Sequence, residues 1–203
     1  MIKQRLFWGA FGVFIVLQLV AVFWQIVKYE KVVYLGDTLH LSIRPFDPYD
    51  PFRGRYINLS FTDTYVAKSD NFDSDAKYIF TTFTTRNGTS KPDAVFSAKP
   101  DTDKPYLKTT NYYRSYYNDD PVRIVYPFDR FYMQEDLAKR VDRDNRIFNN
   151  DAKAVVKILD GVGVLVDVTI EGKSINEYIK EINAEDDSYD SRWDNIEEVN
   201  DEE

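Results

Sequence analysis

Hydrophobic residues are arranged along this chain in two different ways. From Phe7 to Val27 they form a continuous run, interrupted only by Gln18 and Gln25. As a helix these 21 residues cover about 31 Å, close to the hydrocarbon thickness of a bilayer. A helix apolar on every side does not suit the surface of a small soluble domain. Lys3 and Arg5 precede the run, and Lys28 and Lys31 follow it. That slight bias places the N-terminus in the cytoplasm. The competing reading is a cleaved signal peptide. The run is long for one, and the bulky stretch from Phe23 to Val27 offers no small-residue cleavage site. The pattern therefore predicts an uncleaved signal anchor, a single transmembrane helix over residues 1–31.

Beyond residue 31 the pattern changes to alternation with a period of two, which marks half-buried strands. Leu39, Leu41 and Ile43 alternate with polar neighbours, as do Ile57, Leu59 and Phe61. The segments Gly36–Ile43 and Gly54–Phe61 echo one another in phase, as two strands of one sheet would. Further strands are predicted at 77–85, 95–96, 122–126, 154–159 and 164–170. Asn87-Gly88 and the Asp160-Gly161-Val162-Gly163 link are hairpin signals. Two short helices complete the domain. One runs from Glu135 to Phe148, with Leu137, Val141 and Phe148 as its apolar stripe and i,i+4 charge pairs on its other faces. The other opens at the capping box Ser174-Ile175-Asn176-Glu177. The predicted fold class is α+β: a transmembrane helix followed by a mainly antiparallel, β-rich domain over 32–184.

One stretch belongs to neither regime. In Pro45-Phe46-Asp47-Pro48-Tyr49-Asp50-Pro51-Phe52-Arg53-Gly54-Arg55-Tyr56, prolines recur at every third position. They fix φ, remove backbone donors and push the preceding residues to extended geometry. The result is a stiff, polyproline-like connector between the two echoing strands. Arg53 or Arg55 has the geometry to fork onto Asp47 or Asp50 across the Gly54 turn. Asp47, Asp50, Arg53, Gly54, Arg55 and Tyr56 are therefore the candidate binding motif.

This stretch resembles the GDYXXLXY-domain family of bacterial envelope proteins. That family shows Pro-x-Asp-Pro-x-Asp followed by Gly-Asp-Tyr-x-x-Leu-x-Tyr. Gly54, Tyr56 and Leu59 match, whereas Arg55 and Phe61 stand where the family has Asp and Tyr. The resemblance implies an envelope location and association with multi-pass membrane proteins, but no established activity.

Composition narrows the chemistry. The chain has no cysteine and a single histidine, His40. This excludes disulfides, a cysteine nucleophile and a thiolate-bound zinc. His40 falls on the polar side of an alternating strand, where a surface role is the plainer reading. The net charge of −8 belongs to one end: residues 185–203 hold ten acids and one arginine, and residues 1–184 carry +1. Such a tail is expected to be solvated and disordered. Its aspartates lack calcium-loop spacing, so no cofactor or metal is expected. Nor is a nucleic-acid partner. A tyrosine-rich stretch ends in Tyr112, Tyr113, Tyr116 and Tyr117, which either stack on a sugar or pack on the sheet. The expected function is a membrane-anchored accessory protein beside a polytopic membrane partner, its domain periplasmic or extracytoplasmic at a bacterial inner membrane. The alternative is a module binding glycan or cell-wall polymer. A hydrolase using Asp47 and Asp50 as acid and base ranks last.

Overall fold

The structure is a computed structural model and describes residues 2–45, 56–70, 72–110, 112–113, 120–134 and 151–182. The predicted helix from Glu135 to Phe148 and the acidic tail lie outside these residues.

The apolar run belongs to one long helix, α1 (Ile2–Leu35). It contains a span, Phe7–Leu35, long and apolar enough to cross a membrane, and none of that span's apolar window is buried within the protein. The helix continues past Val27 because residues 28–35 contain no proline or glycine to stop it. It ends at Gly36, whose N–H donates to the Val32 carbonyl at 2.9 Å. The first strand starts at the next residue, so helix and sheet meet without a linker.

Among the described residues, twelve strands form one branched sheet. In chain order they are β1 (Asp37–Pro45), β2 (Tyr56–Phe61), β3 (Tyr65–Lys68), β4 (Ile79–Arg86), β5 (Thr89–Phe96), β6 (Tyr106–Thr109), β7 (Tyr112–Tyr113), β8 (Val122–Ile124), β9 (Arg130–Tyr132), β10 (Ala152–Leu159), β11 (Val162–Ile170) and β12 (Lys173–Ser174). The main path runs β12-β11-β10-β1-β5-β3-β8-β7. The β2–β9 pair branches from β1, and β4–β6 from β5. Among the described strands, only β1–β5 and β3–β5 pair in parallel. With α1 and a short helix at 175–182, the class is α+β.

The two echoing segments are antiparallel neighbours, with Ile43 opposite Phe61 and Arg44 opposite Ser60. Their apolar positions Leu39, Leu41, Ile43, Ile57 and Leu59 are all buried. The β10 strand alternates buried and half-buried along its whole length. Ile175 and Ile179 of the short helix close the core beside it. Ser174, expected to cap that helix, instead donates its hydroxyl to the Asp167 carboxylate at 3.2 Å.

Among the described residues, three two-residue turns have both residues in the left-handed region: Asn87–Gly88, Asp160–Gly161 and Glu171–Gly172. This is the turn whose twist matches that of paired strands. The β5 strand is longer than its apolar residues predict because it runs through Pro92. The proline sits opposite Phe83 next to a register shift. It also lies between the residues that pair with β1 (Ser90) and with β3 (Ala94, Val95), so its missing N–H breaks no ladder bond.

Tyr126 is buried under Phe61, with ring centroids 4.4 Å apart, and its hydroxyl donates to the Asp63 carbonyl at 3.0 Å. Burial, then the Asp63 charge, raise its pKa above the ordinary value of 10.0. The neutral phenol is thus favoured in the folded state. Its contribution is complete below the unfolded pKa of about 10 and is lost as pH rises beyond that. Wild type is expected to lose stability above about pH 10, and Tyr126→Phe to flatten that alkaline limb. The same variant lowers neutral-pH stability by about 1 kcal/mol, one buried hydrogen bond. Chemical denaturation across pH 8–11 reads both effects.

Candidate functional site

The family-like motif enters the described residues at Tyr56, the first residue of β2. Asp47, Asp50, Arg53, Gly54 and Arg55 lie outside them, as do Tyr116 and Tyr117. The strand alternates, so its residues take two roles. Ile57 and Leu59 point into the core. Phe61 packs in an aromatic cluster with Tyr126 and Phe128, the latter at 5.8 Å. The Leu59 N–H is bound by the Asp129 carbonyl at 2.8 Å. The signature's Leu and its last aromatic position are therefore structural.

Tyr56 is different. It is only half-buried, and it sits in register with Tyr132 of β9. The two rings are 5.7 Å apart and tilted by 56°. The Arg130 guanidinium lies 5.0 Å from the Tyr56 ring centroid, within cation–π range. Arg130 and Tyr132 are exposed. This corner presents one cation and two aromatic rings, a combination enriched at protein interfaces. It stands at the end of β1 remote from the helix, since β1 leaves α1 at Asp37 and meets β2 only at Ile43–Pro45. Arg130 was not legible as a site residue, because Pro127-Phe128-Asp129-Arg130 reads as a turn, and nothing in the sequence singled out Tyr132.

The tyrosine-rich stretch is split between strands. Tyr106 lies on β6, paired with β4. Tyr112 and Tyr113 form β7, paired with β8. Tyr112 is half-buried, and its hydroxyl donates to the Ala76 carbonyl. Tyr113 is exposed and opposite Arg123, which is itself opposite Tyr65. Cross-strand partners share a face, so Tyr113, Arg123 and Tyr65 form an exposed strip across three strands. The Arg123 guanidinium is 5.4 Å from the Tyr113 ring centroid. A recess of about 650 Å³ is lined by Ala67, Lys68, Asp70 and Pro121, among others, and Ala67 and Pro121 lie two residues along their strands' course from Tyr65 and Arg123.

His40 is a half-buried strand residue, with its backbone N–H donating to the Ser90 hydroxyl at 3.1 Å. Among the described residues, no group of three or more His, Asp or Glu side chains is placed to hold a metal ion.

No curated protein and no solved structure matches this chain. The family model described as GDYXXLXY protein matches residues 18–168, from within the apolar helix through β1, the motif strand and the β10–β11 hairpin. The chain therefore belongs to the GDYXXLXY protein family.

Proposed function

We propose that this protein is a single-pass, membrane-anchored interaction protein of the bacterial envelope, with its β domain extracytoplasmic beside a polytopic membrane partner. The observation that carries the reading is the helix. None of its apolar window is buried, yet its C-terminal end is packed onto the sheet through Val32, which is 3% exposed. Uncovered apolar surface of this extent calls for lipid or another membrane helix. The direct junction sets the domain's height above the bilayer, and the Tyr56–Arg130–Tyr132 corner is the surface offered at the far end. The test is crosslinking and purification of the full chain in mild detergent, followed by mass spectrometry. Recurrent recovery of one polytopic protein is expected. Recovery of no membrane protein overturns the reading.

A second reading is favoured by the Tyr113–Arg123–Tyr65 strip and its polar recess, since exposed rings beside polar groups suit sugar stacking. It makes the domain a glycan or cell-wall binder. The same purification separates the two, because recovery of glycan without protein supports the second.

A further inference from the structure

A crevice of about 610 Å³ lies between α1 and the tip of the β10–β11 hairpin. The helix lines it with Trp24, Val27, Lys28 and Lys31, an i, i+3, i+4, i+7 stripe on one face. The sheet side contributes Leu159 and Val162 from the hairpin and Lys108 from β6. The apolar run ends at Val27. In a spanning helix, Trp24 and Val27 therefore lie at acyl depth, and Lys28 and Lys31 at headgroup depth.

Lys108 is fixed in place. Its backbone N–H donates to the Gly161 carbonyl at 2.9 Å, and its ammonium lies 3.9 Å from the Tyr78 ring centroid. Gly161 turns the hairpin at φ 81°. A Cβ there would stand 3.1 Å from both the Lys108 Cβ and the Tyr106 ring, so only glycine lets β6 approach the turn this closely. Three lysines and one acid, Asp160, line the crevice, leaving two net positive charges above an apolar floor.

We propose that this crevice binds the phosphate headgroup of an anionic phospholipid of the same membrane. Lys28, Lys31 and Lys108 surround the phosphate, and the upper acyl carbons lie against Trp24, Val27 and Leu159. The floor is continuous with the bilayer, which commits the site to a lipid rather than to a free phosphate. The inference rests on the membrane-anchored reading.

The experiment reconstitutes the full chain in vesicles of phosphatidylglycerol and phosphatidylcholine. Flotation is read first, then the lipid retained after gentle detergent extraction, by native mass spectrometry. A chain that does not float defeats the anchored reading and this inference with it. A chain that floats is expected to retain phosphatidylglycerol preferentially. Lys31→Gln with Lys108→Gln should reduce that preference at least roughly tenfold, given the attraction each lysine adds near a membrane surface. Lys3→Gln with Arg5→Gln, at the other end of the helix, should leave it unchanged. Val162→Trp, which fills the crevice and keeps every charge, should abolish retention. Unfolding midpoints confirm that each variant is folded. Equal retention of the two lipids by wild type, or undiminished retention in a folded Val162→Trp chain, overturns the site.

Discussion

Gly36→Ala is expected to destabilise the domain by about 1–3 kcal/mol, the usual cost of forcing a methyl into a packed site, and to loosen the helix from the sheet. A Cβ at this position would collide with the Val32 carbonyl oxygen and come within 3.0 Å of the Ile158 carbonyl oxygen. Both are backbone atoms of regular elements, the last turn of α1 and the helix-proximal end of the β1–β10 ladder, where Asp37 pairs with Ile158. Neither can retreat without breaking hydrogen bonds. Relief must come from lifting the helix end, which exposes Val32. The chain contains no cysteine, so paired spin labels at Tyr34→Cys and Glu171→Cys report the junction cleanly. The expected result is a lower denaturation midpoint together with a broadened label distance. A distance distribution identical to wild type would show that the junction does not depend on this glycine.

The same glycine shows how far the chain could be read in advance. Gly36 was visible as one end of an in-phase echo with Gly54, and the strands of that echo do pair. Strong local signals carried the reading: the continuous run in α1, the alternation of Leu39, Leu41 and Ile43, and the Asn87-Gly88 and Asp160-Gly161 turns. Weak local signals failed. Residues 65–68 and 130–132 form strands too short to show a period, and tertiary pairing with β8 and β2 holds them. The Glu171-Gly172 turn uses the same backbone geometry as the other two, but without Asn or Asp before the glycine its signal is fainter. The candidate sites were the least legible, because each joins distant segments. Tyr56 meets Arg130, Tyr65 meets Arg123, and Lys31 shares a crevice with Lys108 and Val162. Composition reveals such residue types, but only the sheet's branching order brings them together.

The motif strand should separate into structural and interaction residues under mutation. Leu59→Ala removes a side chain that is 5% exposed, on the strand that joins β1 to β9. The expected loss is about 2–5 kcal/mol, the range for truncating a buried leucine. It appears as a lower denaturation midpoint with an unchanged slope against denaturant. Tyr56→Ala removes a half-buried ring whose neighbours, Arg130 and Tyr132, are themselves exposed. Water can take over their contacts, so the expected loss is about 1 kcal/mol or less. Recovery of the proposed membrane partner should fall with Tyr56→Ala and persist with Leu59→Ala in whatever fraction remains folded. The contrast follows from alternation: residues 57 and 59 face the core, whereas 56 faces the corner with β9. If both substitutions cost the same stability and Tyr56→Ala leaves partner recovery intact, Tyr56 is only a packing residue. The interaction surface must then lie elsewhere, and the Tyr113–Arg123–Tyr65 strip becomes the next surface to mutate.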